Sequence, residues 1–108
     1  MDDLTKDAKK LLCEIYKAYL EKCKTDISKK DANMFSSCDS IHKEIVPKWK
    51  LADVEEACRE LNNEDFINCS WYDNTGFNIS LTTKAISTLE NRFKNDLKAI
   101  LKFLSSLV

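Results

Sequence analysis

The sequence predicts an α+β domain of the winged-helix class, and three observations carry that prediction. Only one Gly and one Pro occur in 108 residues, too little turn material for an all-β fold but enough for helices with few connections. Between Ser37 and Thr82 the hydrophobic period changes from helical to alternating, in the order of two short helices and then a hairpin. Amphipathic helices flank that stretch on both sides, so residues 1–108 read as a single domain with one modest core.

The first helix covers Leu4 to about Lys24. Leu4, Ala8, Leu11, Leu12, Ile15, Tyr19, Leu20 and Cys23 recur at helical spacing, while Lys6, Lys9, Lys10, Glu14, Lys17 and Glu21 fall on the solvated face. Tyr16 and Tyr19 lie beside the apolar stripe and suit either packing or binding. Thr25 to Ser37 is polar and reads as a connection anchored by Ile27, Met34 and Phe35, although Ser28 and Asp31 can start one helical turn. Ser37 or Asp39 caps a short helix that runs to Val46, where Pro47 stops it. The next helix spans about Leu51 to Asn62, with Leu51, Val54, Cys58 and Leu61 on one stripe.

A period of two follows. Ile67, Cys69 and Trp71 alternate with Asn68, Ser70 and Tyr72, and Phe77, Ile79 and Leu81 alternate with Asn78 and Ser80. Between the two runs, Asp73-Asn74-Thr75-Gly76 places the sole Gly where a hairpin turn needs positive φ. Trp71, Phe77 and Phe93 are expected in the core. Thr82 or Thr83 then caps a last helix over about 83–107, with Ile86, Leu89, Phe93, Leu97, Ile100, Leu104 and Leu107 on its stripe. At 1.5 Å per residue such a helix is roughly 37 Å long. It is expected either to cover the first helix or to pair with the same helix of a second copy as a homodimer.

The formal net charge of −1 provides no global pull toward nucleic acid or anionic lipid. No run approaches the roughly 20 apolar residues of a membrane span, and Met1-Asp2-Asp3 is acidic rather than signal-like. A cytoplasmic location without membrane attachment is therefore expected. Cys13, Cys23, Cys38, Cys58 and Cys69 are odd in number and scattered, which suits small core residues in a reducing compartment. Cys38 and His42 are four apart and can share a helix face, the spacing of a ligand pair or a Cys/His dyad. The plainer reading is a thiol at a helix cap and a surface imidazole. No Gly-rich phosphate loop and no second Cys/His pair is present, so no enzyme, catalytic residue, metal or cofactor is expected.

Charge on the exposed faces bears on the partner. From Leu51 to Asp65 six carboxylates (Asp53, Glu55, Glu56, Glu60, Glu64, Asp65) stand against Arg59 alone. Carboxylates near a phosphate oppose the counterion release that supplies most non-specific DNA affinity. The hairpin offers Asn68, Ser70, Tyr72, Asp73, Asn74 and Asn78, none of them a cation. The residues that suit DNA best are Lys43, Lys48 and Lys50 around the turn between the two short helices, with Arg59 and Asn74. Trp49, between two of those lysines, suits either gap-filling or an exposed anchor.

The strings "LLCEIYKAYLE" (Leu11 to Glu21), "ACRELNNEDFINC" (Ala57 to Cys69) and "ISLTTKAISTLENRF" (Ile79 to Phe93) resemble the YjcQ-type winged-helix proteins of Firmicutes and their phages and mobile elements. The likeness covers most of the chain and is weakest from Thr25 to Ser37. It implies the fold and a phage-related origin and carries no catalytic or ligand residue across. Leu81 to Ala85 is also similar to the "LT-x-K/G" that follows the wing in winged-helix regulators. The groove helix and wing of those regulators commonly carry Arg, Lys and Gln, and both places differ here.

The expected function is a non-enzymatic interaction module that binds a protein partner, such as a host nucleic-acid-binding protein, through its acidic helix. Glu55, Glu56, Arg59 and Glu60 would form the docking face, and Tyr72 an apolar anchor. The alternative is a dimeric DNA-binding transcriptional regulator that uses Lys43, Lys48, Lys50, Arg59 and Asn74.

Overall fold

The computed structural model describes residues 1–107. Helix α1 (Lys6–Cys23) starts at Thr5, whose hydroxyl accepts from the Ala8 amide and satisfies one of the orphan donors of the first turn. Its stripe is the centre of the core: Leu11, Leu12, Ile15 and Tyr16 have no exposed surface, and Tyr19 is also buried, so both tyrosines pack. Each such side chain contributes about 1.5–3 kcal/mol of burial free energy. The segment expected to be a connection contains a single helical turn, α2 (Lys29–Ala32), capped by Ser28. Of its three expected anchors only Phe35 is buried, whereas Ile27 and Met34 are exposed.

Helix α3 (Cys38–Glu44) is capped by Ser37 rather than Asp39, and α4 (Leu51–Asn63) packs on α3 and α1 through Val54, Ala57, Cys58 and Leu61. Between α3 and α4, Trp49 is half-buried against the core, and its carbonyl lies 2.6 Å from His42 Nε2. Trp49 therefore fills the gap between the two short helices.

Strands β1 (Ile67–Tyr72) and β2 (Thr75–Leu81) form a two-stranded antiparallel hairpin. Its turn differs from the expected one. The two turn residues are Asp73 and Asn74, with φ of 50° and 66°, the pair of left-handed residues that matches strand twist. Gly76 lies in β2 with no positive φ and is buried. Its lack of a side chain serves close approach, because a Cβ there would sit 2.7 Å from Cys69 Sγ and 2.9 Å from Cys38 Sγ.

The alternation in β2 is also broken. Asn68 pairs with Ser80 but Ser70 with Phe77, so Asn78 and Ile79 together oppose Cys69. Asn78, at φ 55°, is the bulged residue. The extra residue moves Phe77 from the expected core face to the outer face, where its ring meets Tyr72 at 5.9 Å. Trp71 remains half-buried. The outer edge of β2 is covered by residues 33–36: Phe35 N–H donates to Ile79 O, Ile79 N–H to Ser36 O, and the Asn33 side chain bonds both backbone groups of Leu81. An amide side chain here replaces a strand residue and closes part of a sheet edge.

The single C-terminal helix expected over 83–107 is two helices, α5 (Thr83–Phe93) and α6 (Leu97–Ser106). Lys94 and Asn95 are left-handed, with φ of 50° and 61°, and Asp96 caps α6 by accepting from Lys98 and Ala99. Tyr16 Oη donates to Asn95 Oδ1 at 2.9 Å and ties the break to α1. The fold-back lets Phe93 meet Phe103 edge-on at 5.5 Å and buries Ile100 completely. The stripe is thus folded onto α1 of its own chain, which leaves Leu101 exposed. The result is a mixed α+β architecture of six helices and one hairpin among the described residues. No helix is long and apolar enough to cross a membrane.

Candidate functional site

Helix α4 carries a carboxylate stripe at Asp53, Glu56, Glu60 and Glu64, spaced by three and four residues and so aligned on one face. The start of α1 runs beside this face, and an open groove of about 730 Å³ lies between them. Thr5, Lys6 and Asp7 line it from α1, and Asp53, Glu56, Arg59, Glu60, Asn63 and Glu64 from α4.

Two of those side chains are committed to the fold. Glu60 accepts from both the amide and the hydroxyl of Thr5, at 2.7 Å and 2.6 Å, and so fastens α1 to α4. Arg59 lies over the Trp71 ring, 4.3 Å from its centroid, and donates to Asn74 O at 3.1 Å. Trp71 Nε1 donates in turn to Asn62 Oδ1, and Asn62 Nδ2 to Ile67 O. The only cation of α4 therefore clamps the hairpin to the helix. Asp7, Asp53, Glu56 and Glu64 are exposed, and none makes a side-chain ion pair; the described ion pairs are Lys17–Glu14 and Arg92–Asp2. The groove is consequently lined by four carboxylates without an ion pair, with Lys6 the one cation of its wall besides the clamped Arg59.

The residues expected to form one docking face are divided by the structure. Glu56, Arg59 and Glu60 line the groove, whereas Glu55 is half-buried on the side of α4 whose charge reaches Cys38 and Cys58. Tyr72 is 62% exposed on the outer face of the hairpin and does not line the groove. Asp53 and Glu64 were legible in the sequence as members of the same helical stripe. Asp7 and Thr5 come from a distant segment, and no local signal points to them.

Lys43, Lys48 and Lys50 are all exposed around the α3–α4 connection, and Asn74 is exposed at the tip of the hairpin. Arg59, the fifth residue of that set, is held by Trp71 and Asn74. Cys38 and His42 do not form a dyad. His42 is half-buried with Nε2 at the Trp49 carbonyl, while Cys38 is buried beside Cys58 and Gly76. Among the described residues no three His, Cys, Asp or Glu side chains are arranged to hold a metal ion.

Comparison with family models, curated proteins and solved structures yields no match for this chain.

Proposed function

We propose that this chain is a non-enzymatic winged-helix interaction protein that docks a basic segment of a protein partner in the groove between α1 and α4. The single observation that carries this reading is the set of four exposed carboxylates (Asp7, Asp53, Glu56 and Glu64) that line one groove without an ion pair, where they outnumber its two cations, Lys6 and the Trp71-bound Arg59. A Lys- or Arg-rich segment gains Coulomb attraction there, and the same field accelerates encounter. The helix–helix–hairpin order supports the winged-helix assignment. The resemblance to YjcQ-type proteins favours a cytoplasmic protein of phage or mobile-element origin, and a basic nucleic-acid-binding surface of a host protein has the complementary charge.

The second reading, a DNA-binding regulator, is favoured by the exposure of Lys43, Lys48 and Lys50 around one turn. Fluorescence anisotropy separates the two. The full chain is titrated against a labelled Arg/Lys-rich peptide, an acidic peptide of the same length and a random-sequence DNA duplex. Saturable binding of the basic peptide alone, lost in Asp53→Lys/Glu56→Lys with helicity unchanged, supports docking in the groove. Micromolar binding to the duplex at about 50 mM salt that collapses by about 200 mM, and is removed by Lys48→Glu/Lys50→Glu, replaces it with the regulator reading.

A further inference from the structure

The hairpin is nearly free of charge. In a chain that is 32% charged, Asp73 at the tip is the one charged residue from Phe66 to Thr83. Depletion of charge together with exposed aromatic residues is the composition of an interface core. The outer face of the hairpin presents both features, with Tyr72 62% and Phe77 39% exposed.

The two edges of the hairpin differ. The outer edge of β2 is covered: residues 33–36 bond to Ile79 and Leu81, and α3 packs on the strand beside Gly76. Asn33 takes both backbone groups of Leu81, so Leu81 turns its backbone away from β1 and Ile67–Leu81 is a non-hydrogen-bonded pair. By the alternation of an antiparallel ladder, Ile67, Cys69 and Trp71 turn their N–H and C=O groups to the other side, the edge of β1. Asn62 Nδ2 takes Ile67 O. Among the described residues, nothing beyond the hairpin bonds to the backbone of Cys69 or Trp71. Burial agrees, because Gly76, Ile79 and Leu81 on the inner face of β2 are buried, whereas Cys69 and Trp71 of β1 are half-buried. Strand β1 also has no charged side chain, no Pro and no bulged residue of its own, the devices that blunt an open edge.

We propose that β1 is the seam of a homodimer, in which two copies pair edge to edge and antiparallel about a twofold axis at Ser70. Cys69 of each copy then lies opposite Trp71 of the other, and each such pair exchanges both of its N–H···O bonds. The sheet becomes four-stranded, in the order β2-β1-β1-β2. On its outer face Tyr72 stands directly opposite Asn68 of the second copy, and on its inner face the half-buried Trp71 and Cys69 lose contact with water. Three features favour a second copy as the occupant. The seam is uncharged, so two identical edges meet without repulsion. Each chain has one open edge, so pairing closes at two copies and does not grow into a fibre. A twofold at residue 70 uses every outward group of Cys69 and Trp71. The seam does not depend on the carboxylate groove between α1 and α4, and it lies on a different element from the exposed Leu101 of α6.

Sedimentation equilibrium of the full chain over a concentration series tests the dimer, and engineered cross-links test the register. The expected mass at high concentration is that of two 12.5 kDa chains. Ser70→Lys, which sets two ammonium groups face to face at the axis, should halve that mass with the circular dichroism spectrum unchanged. The cross-links need no destabilised variant. In a Cys69→Ala background, Ser70→Cys should form an intermolecular disulfide on mild oxidation, because a non-hydrogen-bonded pair holds its Cα atoms about 4.5 Å apart. Asn68→Cys and Tyr72→Cys should each stay single alone and cross-link when mixed. A monomer at every concentration overturns the proposal, as does a dimer that Leu101→Glu dissociates and Ser70→Lys does not. Self-linking of Asn68→Cys or Tyr72→Cys, without linking of Ser70→Cys, overturns the register.

Discussion

The carboxylate of Glu60 receives both the backbone N–H and the hydroxyl of Thr5, at 2.7 Å and 2.6 Å. Fifty-five residues of chain separate the partners, and Thr5 is also the cap of α1. One acidic side chain of the proposed groove therefore positions the helix that forms the groove's other wall.

Glu60→Ala should destabilise the fold by about 1 kcal/mol, because two charge-assisted hydrogen bonds are lost and the site is solvent-exposed. Glu60→Gln, which keeps an acceptor oxygen, should cost less than that. Urea unfolding of both variants measures the difference. Equal stability of Glu60→Ala and the parent would show that water replaces the carboxylate without loss.

Gly76→Ala should cost about 1–3 kcal/mol as an overpacked site, since the added methyl meets two sulfur atoms inside van der Waals distance. Cys69→Ala in the same chain should recover part of the loss by removing the nearer sulfur. A double-mutant cycle on thermal unfolding reports the coupling. Strict additivity would mean that the sulfurs are not the obstacle.

Lys94→Gly should stabilise the protein by about 0.5–1 kcal/mol, because the left-handed φ of 50° is strained for a residue with a Cβ. If Lys94→Gly lowers the unfolding midpoint, the residue is not held in that conformation in solution.

Ile100 and Leu101 are neighbours with opposite burial, 0% and 49% exposed. Ile100→Glu should unfold the chain, as a charge buried without a partner. Leu101→Glu should change stability by no more than about 0.5 kcal/mol. A dimer seen by light scattering that Leu101→Glu returns to a monomer uses this face, and a dimer unaffected by it does not.

Alkaline pH should weaken the fold. Tyr16 is raised from 10 to about 12, chiefly by burial and then by the Glu90 charge, and burial raises Cys13 from 9 to about 12. The native state thus keeps protons that the unfolded chain releases. Their contribution is complete below pH 9 and is lost as pH rises toward 12. Tyr16→Phe should flatten the fall above pH 10 in denaturant titrations repeated across that range. An unchanged slope would assign the loss to other groups.

Helices α1, α3 and α4 and the hairpin were legible in the sequence because each buries one face against the core, and burial imposes the local period. The caps were legible to within a choice, Ser37 against Asp39 and Thr82 against Thr83, since a cap acts within three residues of itself, and Ser28 showed only as the possible start of one turn in a connection. The break at Lys94 and Asn95 was masked because the apolar stripe runs on through Phe93, Leu97 and Ile100. The signal lay in Asn95 and Asp96, a residue tolerant of positive φ followed by a capping carboxylate. The bulge at Asn78 was hidden in the same way, beneath an alternation that looks regular on paper.

The sequence by itself determined helices α1, α3 and α4, the hairpin and the acidic stripe of α4, all of which follow from residues a few positions apart. The tertiary structure alone decided which carboxylates are bound and which are free, and which sulfurs meet. Thr5 takes Glu60, Asn74 and Trp71 take Arg59, and Cys38 and Cys69 converge on a glycine that had suited a turn. These pairings depend on distances between segments that share no local period, and such distances exist only once the core has closed.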